Sequence, residues 1–180
     1  MTFDKSKACC FTGHRKIAAD KMDEIIRKLR LEIDFLVGHG ITHFITGGAL
    51  GFDTLAALAV LMCKQQHEDI RLHLILPCPD QYRNWKQHDI NVYNDILSRA
   101  DSNEFLSDHY HGGVMQMRNR AMVDRSSCCI CYWDKSTSAA ENNSGGTLYT
   151  VNYVRKQRCT LINIWDEPPE ESQLTFNITE

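Results

Sequence analysis

Glycine- and hydroxyl-rich segments carry the residues best suited to chemistry in this chain of 180 residues. The longest is Thr46-Gly47-Gly48-Ala49-Leu50-Gly51-Phe52-Asp53. Glycine lets a backbone approach a ligand closely and adopt positive φ. A glycine-rich turn that opens a helix also offers free amides and the positive end of the helix dipole. The segment therefore predicts contact with a phosphate or a ribose, while capping of the helix by Asp53 is the competing interpretation.

Two further segments repeat this chemistry. Thr12-Gly13-His14-Arg15 follows the first apolar run, and the Arg15 guanidinium could hold a phosphate through two hydrogen bonds. Ser144-Gly145-Gly146-Thr147 precedes a helical pattern, where a hydroxyl and backbone amides form a second anion cradle. A plain helix cap is the alternative for this last segment.

Arginines open another predicted helix, in Met115-Gln116-Met117-Arg118-Asn119-Arg120. Cations in the first turn of a helix are electrostatically misplaced, so an anionic partner would explain them. Arg118 and Arg120 lie roughly 200° apart around a helix, so we do not expect both to face the same ligand. Surface salt bridges are the alternative interpretation.

Gln81 and Trp85 follow the third apolar run, and they are candidates for reading and stacking on a base. A core anchor is the competing role for Trp85, because tryptophan usually packs in a core. Together the predicted ligand-binding residues are Thr12, Gly13, His14, Arg15, Thr46, Gly47, Gly48, Gly51, Asp53, Gln81, Trp85, Arg118, Ser144, Gly145, Gly146 and Thr147. The long glycine segment lacks the G-x-G-x-x-G pattern, so it does not indicate NAD, and no cofactor is predicted.

Two patterns resemble metal ligands. Neighbouring residues of Cys128-Cys129-x-Cys131 point to opposite faces of a strand, and the spacing fits neither arm of a zinc site. His109-x-His111 has no evident third ligand. We therefore predict no metal, and we interpret the cysteines in apolar segments as reduced, buried thiols of a cytosolic protein.

Short apolar runs alternate with helical patterns along the chain, which is typical of a parallel sheet covered on both faces. The predicted strands are residues 8–11, 43–46, 72–76, 103–106, 127–133 and 160–164. The predicted helices are residues 20–37, 54–65, 84–98, 114–125 and 147–156. This pattern predicts one Rossmann-like, three-layer α/β domain over residues 1–165, followed by an acidic tail over 166–180 that could hold a short strand at 174–178.

The chemistry-bearing segments follow predicted strands or precede the helices after them. Ligands bind outside the carboxyl ends of the strands in open parallel sheets, so we expect these segments to converge on one edge. The formal net charge of −3 argues against a nucleic-acid partner, because such proteins usually carry a basic excess. No signal peptide is evident, and the longest apolar run is too short to span a bilayer, so we expect a cytoplasmic protein without a membrane partner.

The motifs together resemble the SLOG superfamily, in particular its YpsA-like branch of small bacterial proteins. The resemblance rests on Phe11-Thr12-Gly13-His14-Arg15, the 46–53 segment, Arg118-Asn119-Arg120 and Ser144-Gly145-Gly146-Thr147. It implies binding of a nucleotide or an ADP-ribose-like molecule, and a homo-oligomer. In this interpretation the amides of Gly47, Gly48, Gly145 and Gly146 hold a phosphate with the hydroxyls of Thr46 and Thr147, Arg15 and Arg118 neutralise charge, and Asp53 holds a ribose hydroxyl.

Two related groups suggest other functions. LOG-type phosphoribohydrolases share a Met-x-x-Arg segment, which makes Arg118 a candidate catalytic residue. Their glutamate, however, corresponds to Tyr149 or Thr150 here. Cleavage of an N-glycosidic bond builds positive charge that a carboxylate stabilises, and Asp53 or Glu141 could replace that glutamate. DprA-type proteins bind single-stranded DNA. We therefore rank a ligand sensor first, a nucleotide N-glycosidase second and a single-stranded DNA binder third.

Overall fold

The computed structural model of the protein describes residues 3–134 and 145–165. They form one parallel sheet of six strands in the order β4-β3-β2-β1-β5-β6, which confirms the predicted Rossmann-like α/β class. The strands are β1 Ala8–Gly13, β2 His43–Thr46, β3 Arg71–Leu76, β4 Ser102–Phe105, β5 Cys128–Tyr132 and β6 Thr160–Asn163. The α-helices of the described residues are α1 Met22–Gly38, α2 Phe52–Cys63, α3 Gln87–Arg99, α4 Val114–Asp124 and α5 Gly146–Lys156.

Both faces of the central strands are buried, which is why these strands read as continuous apolar runs. On β1, Cys9 and Phe11 join the core formed with α1 and α2, whereas Ala8 and Cys10 join the core formed with α4 and α5. The cysteines of β1 and β5 are buried and unbridged, as predicted. Among the described residues, no group of side chains is suited to hold a metal ion, and no helix is long and apolar enough to cross a membrane.

The start of α3 differs from the sequence-based prediction, which placed residues 84–86 inside the helix. Trp85 instead donates its backbone N–H to the Tyr82 carbonyl in a turn, at 2.9 Å. Lys86 then adopts an extended conformation with φ −71° and ψ 151°, and the helix begins at Gln87. The prediction was wrong here because turn hydrogen bonds after Pro77 and Pro79 override helix propensity.

Strand β1 lies at the point where the order of the strands reverses. Strands β2, β3 and β4 follow one another on one side of β1, and strands β5 and β6 then lie on its other side. A crevice opens at such a switch point, outside the carboxyl ends of the two strands concerned. Those strands are β1 and β5, so a ligand site is expected next to their carboxyl ends.

Candidate functional site

A cleft of about 330 Å³ lies at this switch point. Ligand sites for small molecules are typically about 300–1,000 Å³, so its size suits a nucleotide-sized molecule. The cleft is bordered by the β1–α1 loop, the start of α2, the first half of α4 and the start of α5. Its described lining residues are Thr12, Gly13, His14, Arg15, Ala49, Asp53, Met115, Arg118, Asn119, Gly145, Gly146 and Thr147.

A buried ion pair forms one wall of the cleft. Arg118 Nη1 donates to Asp53 Oδ2 at 3.0 Å, and the two side chains are only 6% and 8% exposed. The same carboxylate oxygen accepts the Ala49 backbone N–H at 3.2 Å. Arg118 Nε is also buried and has no hydrogen-bond partner among the described residues. Most buried donors in proteins are paired, so this nitrogen stands out among the polar groups of the cleft wall.

Gly47 is required by this arginine. A Cβ atom at Gly47 would lie 1.2 Å from Arg118 Nη1, so only glycine allows the guanidinium to lie against the backbone here. The sequence-based interpretation assigned this glycine to direct phosphate contact. In the structure, Gly47 makes room for the side chain of Arg118 and does not itself belong to the cleft lining.

The loops after β1 and β2 interlock through Gly51. This residue has φ +79°, and a Cβ atom there would lie 2.3 Å from the Arg15 carbonyl oxygen. The next residue, Phe52, donates its N–H to the His14 carbonyl at 3.1 Å. The two contacts fix the backbone of His14 and Arg15 against the start of α2, and so position the Arg15 side of the cleft.

The His14 ring joins the ends of β1 and β5. Its Nε2 accepts the Asp134 backbone N–H at 3.0 Å, and its ring meets Tyr132 edge-on with centroids 6.1 Å apart. A ring nitrogen that accepts an N–H must be unprotonated, so this contact selects the neutral ring with its hydrogen on Nδ1. The contact holds the two strand ends that border the cleft together.

A hydrogen-bonded chain ties α4 to the glycine turn of α5. Asn119 Nδ2 donates to Thr150 Oγ1 at 2.8 Å, and the Thr150 hydroxyl donates to the Gly146 carbonyl at 2.9 Å. Thr150 is fully buried. Tyr149 accepts a hydrogen bond from Arg120 Nη1 at 3.1 Å. Both positions that could have supplied a LOG-type glutamate therefore make contacts between the two helices.

The structure brings together nine of the sequence-predicted residues in the cleft lining: Thr12, Gly13, His14, Arg15, Asp53, Arg118, Gly145, Gly146 and Thr147. Thr46 and Gly48 do not line the cleft but make hydrogen bonds close to it. The Thr46 hydroxyl donates to the Asp53 carbonyl at 3.3 Å, and the Gly48 carbonyl accepts from Gln81 Nε2 at 3.3 Å. Ser144 lies outside the described residues, as does Glu141.

Trp85 does not line the cleft. It packs against the core beside α3, with its ring edge-on to Tyr93 and the ring centroids 5.6 Å apart. This placement matches the competing interpretation of Trp85 as a core anchor. Gln81 connects the loop after β3 to Gly48 and likewise lies outside the lining.

Ala49, Met115 and Asn119 line the cleft but were not among the predicted residues. Each stands inside a motif that the sequence had singled out: Ala49 follows the two glycines, Met115 opens the Met-x-x-Arg segment, and Asn119 lies between the two arginines. Their side chains are apolar or uncharged, so residue type alone gave no signal. Position within the motif would have found them.

The described lining carries two arginines, Arg15 and Arg118, and one aspartate, Asp53. Asp53 is paired with Arg118, which leaves Arg15 as the cation of the lining without a carboxylate partner among the described residues. The start of α5 adds backbone amides that no residue of the first turn can satisfy from within the helix. The cleft therefore favours a small anionic ligand.

Comparisons with known proteins match most of the chain. A family model described as the YspA SLOG family matches residues 9–166. A UPF0398 protein of Halalkalibacterium halodurans is 27% identical over 125 residues, which are 68% of this chain and 63% of that protein. A UPF0398 protein of Bacillus thuringiensis is 26% identical over 137 residues, 74% of this chain and 71% of that protein. The chain thus spans less than two thirds of the first relative's length.

Two solved structures share the fold. DNA processing protein A from Helicobacter pylori, whose single-stranded DNA binding mode has been described structurally, superposes with a TM-score of 0.57 at 18% identity, over 88% of this chain and 65% of that one. DNA processing protein A from Streptococcus pneumoniae gives a TM-score of 0.57 at 14% identity, over 87% of this chain and 50% of that one.

Proposed function

The chain belongs to the YspA SLOG family, and from this membership and the geometry of the cleft we propose that the protein binds a nucleotide or a nucleotide derivative such as ADP-ribose and acts as a ligand sensor. A cytoplasmic location and a homo-oligomeric state are part of the same proposal. The oligomeric state can be measured directly by light scattering on the purified protein.

The observation that carries the proposal is the buried Arg118. Its Nη1 pairs with Asp53, whereas its Nε has no partner among the described residues. Keeping an arginine buried costs free energy unless its charge is used, and the part of the Arg118 guanidinium that lines the cleft offers that charge to an anionic or hydroxyl-bearing ligand. Gly47 makes room for this guanidinium, because a Cβ atom there would lie 1.2 Å from Arg118 Nη1.

We place the ligand's phosphate between Arg15 and the amides of Gly145, Gly146 and Thr147. These amides belong to a helix start, where the dipole favours an anion. The Asp53 carboxylate uses Oδ2 for Arg118 and Ala49. Its other oxygen, Oδ1, is the acceptor that a ribose hydroxyl would use. The base then points away from the sheet, towards Met115 and the loop after β1.

Hydrolysis of an N-glycosidic bond is the second candidate function, and one contact favours it. An enzyme of that kind needs a carboxylate close to the candidate catalytic arginine, and Asp53 lies 3.0 Å from Arg118. The ion pair also neutralises the carboxylate, which weakens its ability to stabilise a developing cation. For this reason we rank ligand binding without turnover first.

Single-stranded DNA is the third candidate ligand. The fold neighbour from Helicobacter pylori is a protein with a described single-stranded DNA binding mode, so the sequence-based expectation against nucleic acid loses force. The low net charge still contrasts with the basic groove typical of such binders. Oligonucleotides therefore belong in the same binding test as nucleotides.

The test is a thermal-shift screen of the purified protein against AMP, other nucleoside monophosphates, ADP-ribose and oligodeoxythymidine, with chromatography of each mixture afterwards. A ligand at a hundred times its Kd should stabilise the fold by about 2.7 kcal/mol and raise the Tm clearly. A shift with the ligand intact supports the sensor. A released base would make the protein a hydrolase, and a shift with the oligonucleotide alone would favour DNA binding over both.

A further inference from the structure

A second groove runs along the outer surface of α4 and α5, with a volume of about 530 Å³. Its described side chains come from one face of each helix: Gln116, Arg120, Tyr149, Asn152, Tyr153 and Lys156. The spacing of three or four residues along each helix makes these side chains neighbours on a shared face. The groove is thus formed by regular secondary structure and not by loops alone.

The chemistry of this groove is cationic and aromatic. Arg120 and Lys156 contribute two positive charges to its described lining, and the carboxylate of Asp124 lies beside that lining, where it accepts a hydrogen bond from the Tyr153 hydroxyl at 2.8 Å. Arg120 donates to the Tyr149 hydroxyl, which leaves its charge without a carboxylate partner among the described residues. A phosphate backbone with stacked bases is the type of ligand that combines well with cations and exposed aromatic rings.

The groove and the cleft at the switch point share one turn of the chain. Gly145 and Gly146 line both cavities, and a Cβ atom at either would meet nothing within 4 Å. The open space on this turn lies at the start of α5, where the first-turn amides can bind an anion. A phosphate on the turn could therefore belong to a ligand that enters both cavities.

The two arginines of α4 face different cavities, as expected for residues that lie roughly 200° apart around a helix. Arg118 is buried in the cleft wall, whereas Arg120 is exposed and lines the groove. The first part of α4 therefore presents one cation to each side of the glycine turn. This arrangement suits a ligand with two recognisable ends better than a single mononucleotide.

We propose that the ligand has two nucleotide units joined through phosphate, one in the cleft and the other in the groove of α4 and α5, with the linking phosphate on Gly145 and Gly146. This inference rests on the proposed function and narrows its ligand class to dinucleotides and longer strands. Tyr149 stacks on the second base, while Arg120 and Lys156 bind its phosphate or sugar oxygens.

The test compares AMP with the 5′-phosphorylated dinucleotide pApA by calorimetric titration of the full chain. We expect pApA to bind at least about fivefold more tightly than AMP, the lower end of what one base stacked on an aromatic ring contributes. Tyr149→Ala and Lys156→Ala should each reduce the ratio between the two affinities. Arg30→Ala, which removes an exposed arginine of α1 on the opposite layer, is the matched control and should leave the ratio unchanged.

Equal affinities for AMP and pApA in the unmodified protein would overturn this inference and leave the proposed function standing. A loss of AMP affinity in the groove variants as large as the loss of pApA affinity would also overturn it, because the groove would then not be a separate subsite. Binding of neither ligand would overturn the inference, and the screen with the other nucleotides and ADP-ribose would then decide the proposed function separately. A higher affinity for oligoadenylate than for pApA would show that the ligand is a nucleic-acid strand. Equal affinities for the two would indicate a small dinucleotide.

Discussion

At the scale of single residues, Gly47 and Arg118 depend on each other. A methyl group at position 47 would lie 1.2 Å from Arg118 Nη1, so Gly47→Ala must displace the guanidinium from its place beside Asp53. We expect a loss of stability of at least about 1–3 kcal/mol from overpacking, which approaches the loss in Arg118→Met if the displaced guanidinium no longer pairs with Asp53. We also expect ligand affinity to fall as far as it does in Arg118→Met. Chemical denaturation and calorimetric titration measure the two effects.

Gly38→Ala is the matched control for this substitution. Nothing lies within 4 Å of a Cβ atom at Gly38, which ends helix α1 without a positive φ. The free energy of unfolding of the Gly38→Ala protein should differ from that of the unmodified protein by less than about 1 kcal/mol, because alanine there mainly restricts the unfolded chain. Full ligand affinity in Gly47→Ala would show that the position of Arg118 is not essential to binding.

A second prediction concerns the buried ion pair between Arg118 and Asp53. Arg118→Met should destabilise the protein by about 3–5 kcal/mol, because it leaves the Asp53 carboxylate buried without its cation. Asp53→Asn combined with Arg118→Met should recover much of this loss, since no uncompensated charge remains. The sum of the single effects should therefore exceed the effect of the double substitution.

The pair between Arg99 and Asp95 supplies an internal comparison for this double-mutant cycle. Its Nη1–Oδ2 distance is also 3.0 Å, but the two side chains are 44% and 55% exposed. We expect a coupling free energy below about 1 kcal/mol there. Similar coupling energies for the two pairs, measured by urea denaturation, would contradict the view that burial gives the Arg118–Asp53 pair its importance.

At the scale of elements, the regular part of the fold could be predicted and the turns could not. Strands β1, β2 and β5 are apolar on both faces, and α1 shows a clear amphipathic pattern, so their existence follows from residue type. The start of α3 depends on backbone hydrogen bonds in the preceding turn, which leave little trace in sequence. The separation of Trp85 from the cleft follows from that same turn.

The candidate site likewise contains residues that could be predicted from the sequence and residues whose roles could not. Residues after β1 and at the start of α5 reach the cleft because the carboxyl ends of parallel strands converge, as a sequence pattern can indicate. The role of Gly47 depended on a side chain 71 residues away, and no local pattern reports that contact. Glycine content predicted a close approach at this position but not the group that approaches.

The amino ends of β2, β3 and β4 are linked by a histidine pair that should make stability depend on pH. His43 Nδ1 and His73 Nε2 lie 2.9 Å apart, His73 Nδ1 lies 2.7 Å from Ser102 Oγ, and the ring of Phe3 stacks on both histidines. Burial, and to a smaller extent the nearby His43, lower the pKa of His73 to about 4, while Asp101 opposes the shift. The fold therefore favours neutral His73.

Between pH 6.5 and 4 the unfolded chain binds a proton at this position that the folded chain does not. The free energy of unfolding should consequently fall as the pH decreases through this interval, by about 3 kcal/mol for His73 over the whole interval. Urea denaturation at several pH values measures the slope. His73→Gln, which keeps a polar side chain, should flatten it. An equal slope in both proteins would show that other groups cause the pH dependence.

At the scale of the whole molecule, the order of the strands decides where function can reside. Because β1 lies between β2 and β5, the sheet has its switch point there, and the described walls of the cleft come from the β1–α1 loop and the residues at α2, α4 and α5. Helices α4 and α5 also line the outer groove. The histidine pair lies at the other end of the strands, towards the amino ends of β2 and β3.

The central claim is that a nucleotide-type ligand occupies the cleft at this switch point, and a titration followed by amide NMR tests it most directly. The ¹⁵N-labelled protein is titrated with AMP and then with ADP-ribose, and the amide signals that move are assigned to positions in the chain. We predict that the largest changes fall on Thr12 to Arg15, on the loop around Ala49, and on Gly145 to Thr147. Unchanged spectra with both ligands, or changes confined to the amino ends of the strands near His43 and His73, would contradict the claim.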